Sequence, residues 1–421
     1  IDAEGAGLTG RSELKVGVEM FQTSTGENYE VSVSTLLQGV RENLLNLHAQ
    51  LPVGSRQYAG DWELKARTAQ LEPFSLGGLL PEFDAKGGGR FAFDPGQENF
   101  TLRGNLQGRV SRLEAIDPAW RIFGTLAVDT DFDLSQQDQF LSLNTFKVAI
   151  AGDKPVLEAN SVVPLRFDLN KHRLLQESVG TDRLLHVPLL GLPIAWVRPF
   201  VPGLDVSGSL ITGQLDLVRT LDPQTDASVR GKLQAADIAV VQDGRPLLQK
   251  ATVALLLEAT LGSGALEVPV LNLTVTTPEG DSLDLQSKVS SPEGADAPLS
   301  VSGRFTASTA QLLARWLPGA PVKAEGDFIF KLQGPVIDIQ PGRLAITQEA
   351  GRPLLSLTLK QAFALNLVNH EVKARNPAEA IARIELGRLP LSLLPITQPD
   401  TTLGGALTQG DFEVTAPAGK I

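Results

Sequence analysis

The stretch Leu355-Ser356-Leu357-Thr358-Leu359, followed after Lys360-Gln361-Ala362 by Phe363-Ala364-Leu365-Asn366-Leu367, puts an apolar side chain at every second position. Successive side chains of an extended strand point to opposite sides, so this spacing describes two strands, each with one dry face. The pattern recurs in both directions along the chain. Val16, Val18 and Met20 show it, as do Phe91 and Phe93, Leu126 and Val128 with Phe132 and Leu134, and Phe146 and Val148 with Ile150. Leu215 and Leu217, Leu271 and Leu273 with Val275, and Phe328, Phe330 and Leu332 repeat it again. The positions between are mostly Ser, Thr, Asn, Gln or charged, which makes the other face wet.

Turn signals cut these runs at short intervals: Thr25-Gly26, Asp94-Pro95-Gly96, Gly152-Asp153-Lys154-Pro155, Asp243-Gly244, Pro278-Glu279-Gly280-Asp281 and Ala350-Gly351-Arg352-Pro353. Neighbouring strands are therefore expected to pair as antiparallel hairpins. At roughly 12 to 15 residues per strand and turn, the chain has room for about 28 to 35 strands. Helices are expected to be few. The clearest covers Thr309 to Leu317, with Ser308 as N-cap and Pro318 as its stop. Ser34 to Leu47 fits a helix through Leu36, Leu37, Val40, Leu44 and Leu47, and fits strands equally well.

The 421 residues carry 37 Lys+Arg against 48 Asp+Glu, a net charge of −11. That balance argues against an electrostatic grip on nucleic acid or on an anionic bilayer. Cysteine is absent and only four His occur, which removes thiol chemistry and Cys/His zinc sites as organising principles. Hydrophobic residues make up 42%, ample for a buried core. The longest apolar run, Leu184 to Val197, is broken by His186, Pro188 and Pro193 and falls short of the roughly 20 residues of a spanning helix. With Ile1 first and Met20 the single methionine, the sequence reads as an excised segment whose leader or membrane anchor would lie upstream.

A looser repeat joins the strands. A short apolar segment ends in an apolar-Pro pair, and a Gly-containing strand follows. The pairs are Leu80-Pro81 before Gly89 to Phe93, Val201-Pro202 before Gly208 to Leu210, Leu317-Pro318 before Gly326 to Phe330, and Leu394-Pro395 before Gly405 to Leu407. The spacing is too irregular for a fixed-period solenoid. It divides one continuous domain, 1–421, into approximate modules 1–95, 96–220, 221–335 and 336–421. Glycines inside strands, such as Gly104, Gly108, Gly208, Gly213 and Gly231, are expected to mark bulges or bends.

The pattern Val206 to Leu210 with Gly213 to Leu217, the pattern Val229 to Leu233 with Asp237 to Val240, and the run Ala307 to Pro318 leading into Gly326 to Leu332 resemble the AsmA/TamB-like family of bacterial envelope proteins. The resemblance is one of style, over roughly residues 60–415. It implies an elongated, curled antiparallel sheet with a few short helices, folded like a taco shell around an apolar groove that carries lipid acyl chains between membranes. It further implies a periplasmic location, an inner-membrane anchor helix, and an outer-membrane or envelope protein docked at one end. Under it the groove lining would be Phe91, Phe93, Leu126, Val128, Phe146, Val148, Leu215, Leu217, Leu271, Leu273, Phe328, Phe330, Leu332, Leu357, Leu359, Phe363, Leu365 and Leu367, and the ligand a phospholipid or other acyl-chain lipid. Elementary energetics support such a role, because exposing a 16-carbon chain to water costs about 12 kcal/mol at about 0.8 per CH₂.

Other chemistries are poorly supported. Gly5, Gly7 and Gly10 form a GxGxxG string, yet Leu14, Val16 and Val18 after it alternate as a strand where a dinucleotide site needs a helix. Asp129, Asp131 and Asp133 share a strand face, but Leu134 and Phe140 stand where a calcium loop needs Gly and Glu. His48, His172, His186 and His370 show no metal or triad spacing, and Trp62, Trp120, Trp196 and Trp316 read as packing residues. The expectation is a protein with no enzymatic activity and no cofactor or metal. A secreted β-rich adhesin or structural protein, whose apolar faces close on each other, is the alternative.

Overall fold

The computed structural model describes residues 13–415, apart from 38, 76–77, 172, 176–181, 201–203, 221–226, 243, 263–264, 293–296, 310–321, 349–350, 352, 369–370, 388 and 391–404. The fold is mainly β. Twenty-seven strands belong to an antiparallel sheet that is not closed into a barrel, and a two-stranded ribbon stands apart. All six turn signals fall between paired strands. Asp94 pairs with Asn99 around Pro95-Gly96, for instance, and Thr276 with Ser282 around Pro278 to Asp281.

Contacts group the chain into two compact units, residues 1–202 with 214–219, and 203–213 with 220–421. The first unit opens with β1 (Leu14–Thr23), β2 (Gly26–Leu37), β3 (Val40–Pro52), β4 (Tyr58–Arg67), β5 (Glu82–Asp94), β6 (Asn99–Ser111), β7 (Leu126–Gln137), β8 (Phe140–Ala151) and β9 (Pro155–Ser161). Each pairs with the next as an antiparallel meander. Then β10 (Leu165–Asp168) pairs with β8 and β11 (Arg173–Leu175), and β12 (Arg183–Pro193) pairs with β9. Val163, Leu165 and Leu184 form a small core here, with Leu143, Leu174 and Leu217 packed against it. Leu217 belongs to β14 (Leu210–Val218), the strand paired with β12.

In the second unit β13 (Leu204–Ser207) pairs with β15 (Ala227–Gln242). From β15 a meander runs through β16 (Arg245–Gly262), β17 (Ala265–Thr276), β18 (Ser282–Ser291), β19 (Leu299–Thr309) and β20 (Val322–Gln333). At β20 the sheet forks. One branch is β21 (Val336–Ile339), β24 (Phe363–Asn366) and β25 (Val372–Ala374); the other is β22 (Arg343–Gln348), β23 (Pro353–Leu359), β26 (Ala382–Leu386) and β29 (Gly410–Val414). The strands β27 (Leu389–Pro390) and β28 (Ala406–Leu407) make the separate ribbon, and Leu407 packs on the buried pair Val322 and Leu354.

Ser34 to Leu47 is not helical. Leu37 pairs with Val40 across a tight turn in which Gly39 has φ +82, a conformation that glycine adopts freely and that no right-handed helix contains. Helical turns are short: α1 (Thr68–Leu71) and a 3₁₀ turn at Glu72–Phe74 precede Pro81, and a 3₁₀ turn at Ile194–Phe200 precedes Pro202. Ser308 and Thr309, expected to open a helix, instead end β19, paired with Lys323 and Val322; the rest of that segment with Trp316, the segment before Pro395 and the glycines at 5, 7 and 10 lie outside the described residues. A further 3₁₀ turn at Pro118–Phe123 is not evident from hydrophobic periodicity. Asp117 caps it by accepting the Ala119 N–H at 2.8 Å, with Pro118 at its first position. Its Phe123 ring meets Trp196 edge-on at 5.0 Å between centroids, so Trp196 packs one helical turn on another. Among the described residues no helix is long and apolar enough to cross a membrane.

Candidate functional site

Residues directly opposite in an antiparallel pair point to the same face, so the registers can be followed strand by strand to see what each face carries. In the second unit one row runs Leu233, Leu255, Leu273, Leu285, Phe305, Gly326, Leu344, Leu357, Ile384, Phe412 through β15–β20, β22, β23, β26 and β29. Every member is apolar or glycine. Ten strands at about 4.8 Å spacing make this row about 43 Å long. One residue along, the opposite face reads Asn272, Gln286, Arg304, Asp327, Arg343, Thr358, Arg383, Glu413 over β17–β20, β22, β23, β26 and β29.

The first unit is built the same way. Val18, Val31, Leu47, Trp62, Gly89, Gly104, Phe132 and Phe146 form a row over β1–β8, and Val16, Val33, Leu45, Leu64, Gly87, Leu106, Thr130, Val148 and Ala159 form the next over β1–β9. The opposite face carries Glu19, Glu30, His48, Asp61, Arg90, Arg103, Asp133 and Thr145 in one row.

Burial separates the faces without closing the apolar one. Along residues 101–110 exposed and half-buried positions alternate without exception, and β20 repeats the alternation over most of its length. Apolar side chains that filled a sandwich core would be fully buried; here most are half-buried by their neighbours on the same face. Toward β1 they open further, with Val16 at 61% and Val18 at 65% exposure. Full burial is local, as at Val322, 1% exposed under the β28 ribbon.

The registers give each expected lining residue a position. Phe91, Phe93, Leu126, Val128, Phe146 and Val148 share the apolar face of the first unit, and Leu271, Leu273, Phe328, Phe330, Leu332, Leu357, Leu359, Phe363 and Leu365 share that of the second. Leu217 packs against the small core of Val163, Leu165 and Leu184, and Leu215 is half-buried on the same strand. Leu367 lies past the end of β24 in a turn, 48% exposed. Trp62, read from sequence only as a packing residue, sits inside the apolar face. Its parity with Tyr58, Gly60 and Leu64 is the signal that places it there.

Glycine has a specific place on this face. A Cβ on Gly303 would stand 2.8 Å from Phe328 Cζ, and one on Gly326 would stand 2.9 Å from Phe305 Cε1, so each ring lies over the glycine of the neighbouring strand. These two glycines therefore seat rings, a pairing that also protects strand glycines. Gly208 does neighbour an irregularity, since it faces Ile238 where the β15–β16 register shifts.

Charges on the wet face meet partners across strands. Arg103 binds Asp133 at 2.6 Å, and Arg383 grips Asp411 through two nitrogens at 2.9 and 2.6 Å. The Arg383 hydrogen bonds hold the Asp411 carboxyl below its usual value, as those of Arg67 do for Glu42. Asp129 and Asp131 are exposed on this face, and among the described residues no acidic or histidine group has the arrangement of a metal site. His186 does have partners: its Nδ1 lies 2.6 Å from Asp216 Oδ1, and Arg183 lies 3.2 Å from Oδ2. His48 faces Glu30 at 3.7 Å, while positions 172 and 370 fall outside the described residues.

Comparison with known protein families, with characterised proteins and with solved structures gives no match to this chain.

Proposed function

We propose that the chain carries lipid acyl chains along its apolar face, shielding them from water as they pass between membranes of a bacterial envelope, with the periplasm as its location. The carrying observation is the unbroken apolar register of ten strands in the second unit, half-buried except at Phe412 and left without a filled core, above an opposite face that is mostly polar, with Leu256 and Ile329 as exposed exceptions. Such a face needs a cover, and an acyl chain supplies one without asking for any polar partner. Aliphatic side chains in uniform rows hold each methylene about equally, so no position retains the chain strongly. The resemblance to the AsmA/TamB-like family supports the same reading, and with it an inner-membrane anchor and an envelope partner at one end. Neither an enzymatic activity nor a cofactor enters this account.

The test is lipid extraction and native mass spectrometry of the protein purified from a Gram-negative host without harsh detergent. Co-purifying phospholipid is expected, and Phe330→Asp, which places a charge in the face, should lower the bound lipid at least severalfold while far-UV circular dichroism is unchanged. A lipid-free protein of intact fold refutes the proposal.

A further inference from the structure

Trp62 is 8% exposed, and its indole Nε1 is buried with no hydrogen-bond acceptor. A buried N–H without a partner leaves its desolvation cost unrecovered, and native structures seldom keep one without reason. The position of the ring shows what a partner would be. A Cβ added at Gly104 would collide with Trp62 Cζ2, so the indole runs across the glycines of β5 and β6 and stacks on Phe132, with centroids 6.1 Å apart and planes at 23°. The rows on either side, Leu64, Gly87, Leu106 and Gly60, Phe91, Leu102, hold no cation.

We propose that Trp62 is a recognition point for the ester carbonyl oxygen of an acyl lipid on this face, an assignment that rests on the acyl-carrier reading. A hydrocarbon chain alone offers the indole no acceptor. A phosphate or a free carboxylate would bring an unpaired charge into a face without a counter-charge, which is costly. A neutral ester carbonyl accepts one hydrogen bond and adds no charge, and it lies at the head of the chain that the aliphatic rows would hold. Lifting of the ring from its glycine seat brings Nε1 to the surface of the face, where the bond forms.

The experiment compares the full chain binding a diester phosphatidylcholine, a diether analogue of equal chain length, and a free fatty acid. The diester is expected to bind about five- to tenfold tighter than the diether, and the fatty acid no tighter than the diether. Trp62→Phe keeps a ring over Gly104 but has no N–H, so it should bind diester and diether equally with its thermal midpoint maintained or raised. Equal binding of the two phospholipids by the unmodified chain, or a preference that survives in Trp62→Phe, overturns the assignment alone. Failure of every lipid to bind overturns the carrier reading and this assignment with it.

Discussion

Truncating Leu273 to alanine distinguishes an open apolar face from a filled core. Leu273 is half-buried and stands in register between Leu255 and Leu285. The change removes the equivalent of about three methylenes, worth about 2.4 kcal/mol if all were taken from water at about 0.8 each. Only part of that area is withdrawn on a half-buried face, which brings the expected loss to about 1–1.5 kcal/mol. A closed core would add the cavity left behind and raise the cost to about 3–5 kcal/mol. Urea unfolding followed by far-UV circular dichroism gives the difference, and hydrogen exchange of the β16–β18 amides reads it locally. Leu273→Phe serves as the companion, costing under about 1 kcal/mol on an open face because no packed neighbour resists the larger ring. A loss of 3 kcal/mol or more for the alanine variant, with a similar penalty for phenylalanine, would refute the open face.

Gly303→Ala introduces a Cβ 2.8 Å from Phe328 Cζ and 2.5 Å from the Gln286 carbonyl oxygen, and should cost about 1–3 kcal/mol. Combining it with Phe328→Ala should cost less than the sum of the two single changes in thermal unfolding; strict additivity would show that the ring is not seated on the glycine. Of the two tyrosines, Tyr29 has its hydroxyl pushed up to about 12, first by donating a hydrogen bond to Glu27 and then by desolvation. A tyrosine whose folded value is raised contributes stability that is complete below the ordinary value of about 10 and is lost as the pH climbs toward the folded one. Absorbance titration should find Tyr29 ionising near 12, moved toward 10 by Glu27→Gln, and ionisation of Tyr29 near 10 in the unmodified chain would contradict this hydrogen bond.

Much of the sheet was legible because period-two alternation is a local property. Leu355, Leu357 and Leu359 declare one face by themselves, and Pro95-Gly96 or Glu279-Gly280 between two such runs fixes the antiparallel partner. Composition cannot reveal the division into two units, because the chain passes through β14 with no change of pattern near Gly213 and Gln214. Alternation also says nothing of local clusters: Leu217 has the parity of a face residue, and its packing against Val163, Leu165 and Leu184 depends on the four-residue β10 and on β12, far from it in sequence. The fork at β20 is equally hidden, since β21 and β22 divide one edge through pairings such as Phe330 with Ile339 and Asp327 with Arg343. Glycine is ambiguous for the same reason, because its seat for Phe328 depends on a ring some 25 residues away in sequence, brought opposite only by the β19–β20 register.

A photoreactive amino acid placed in turn at Leu344 and at its neighbour Arg343 tests the central claim most directly. The two positions are adjacent on β22 and belong to opposite faces, Leu344 in the apolar row beside Gly326 and Leu357, Arg343 in the polar row beside Asp327 and Thr358. After irradiation in cells, mass spectrometry should find phospholipid covalently attached at 344 and essentially none at 343. Equal labelling at the two positions, or none at 344 in a folded protein, would contradict the claim that acyl chains travel along the apolar face.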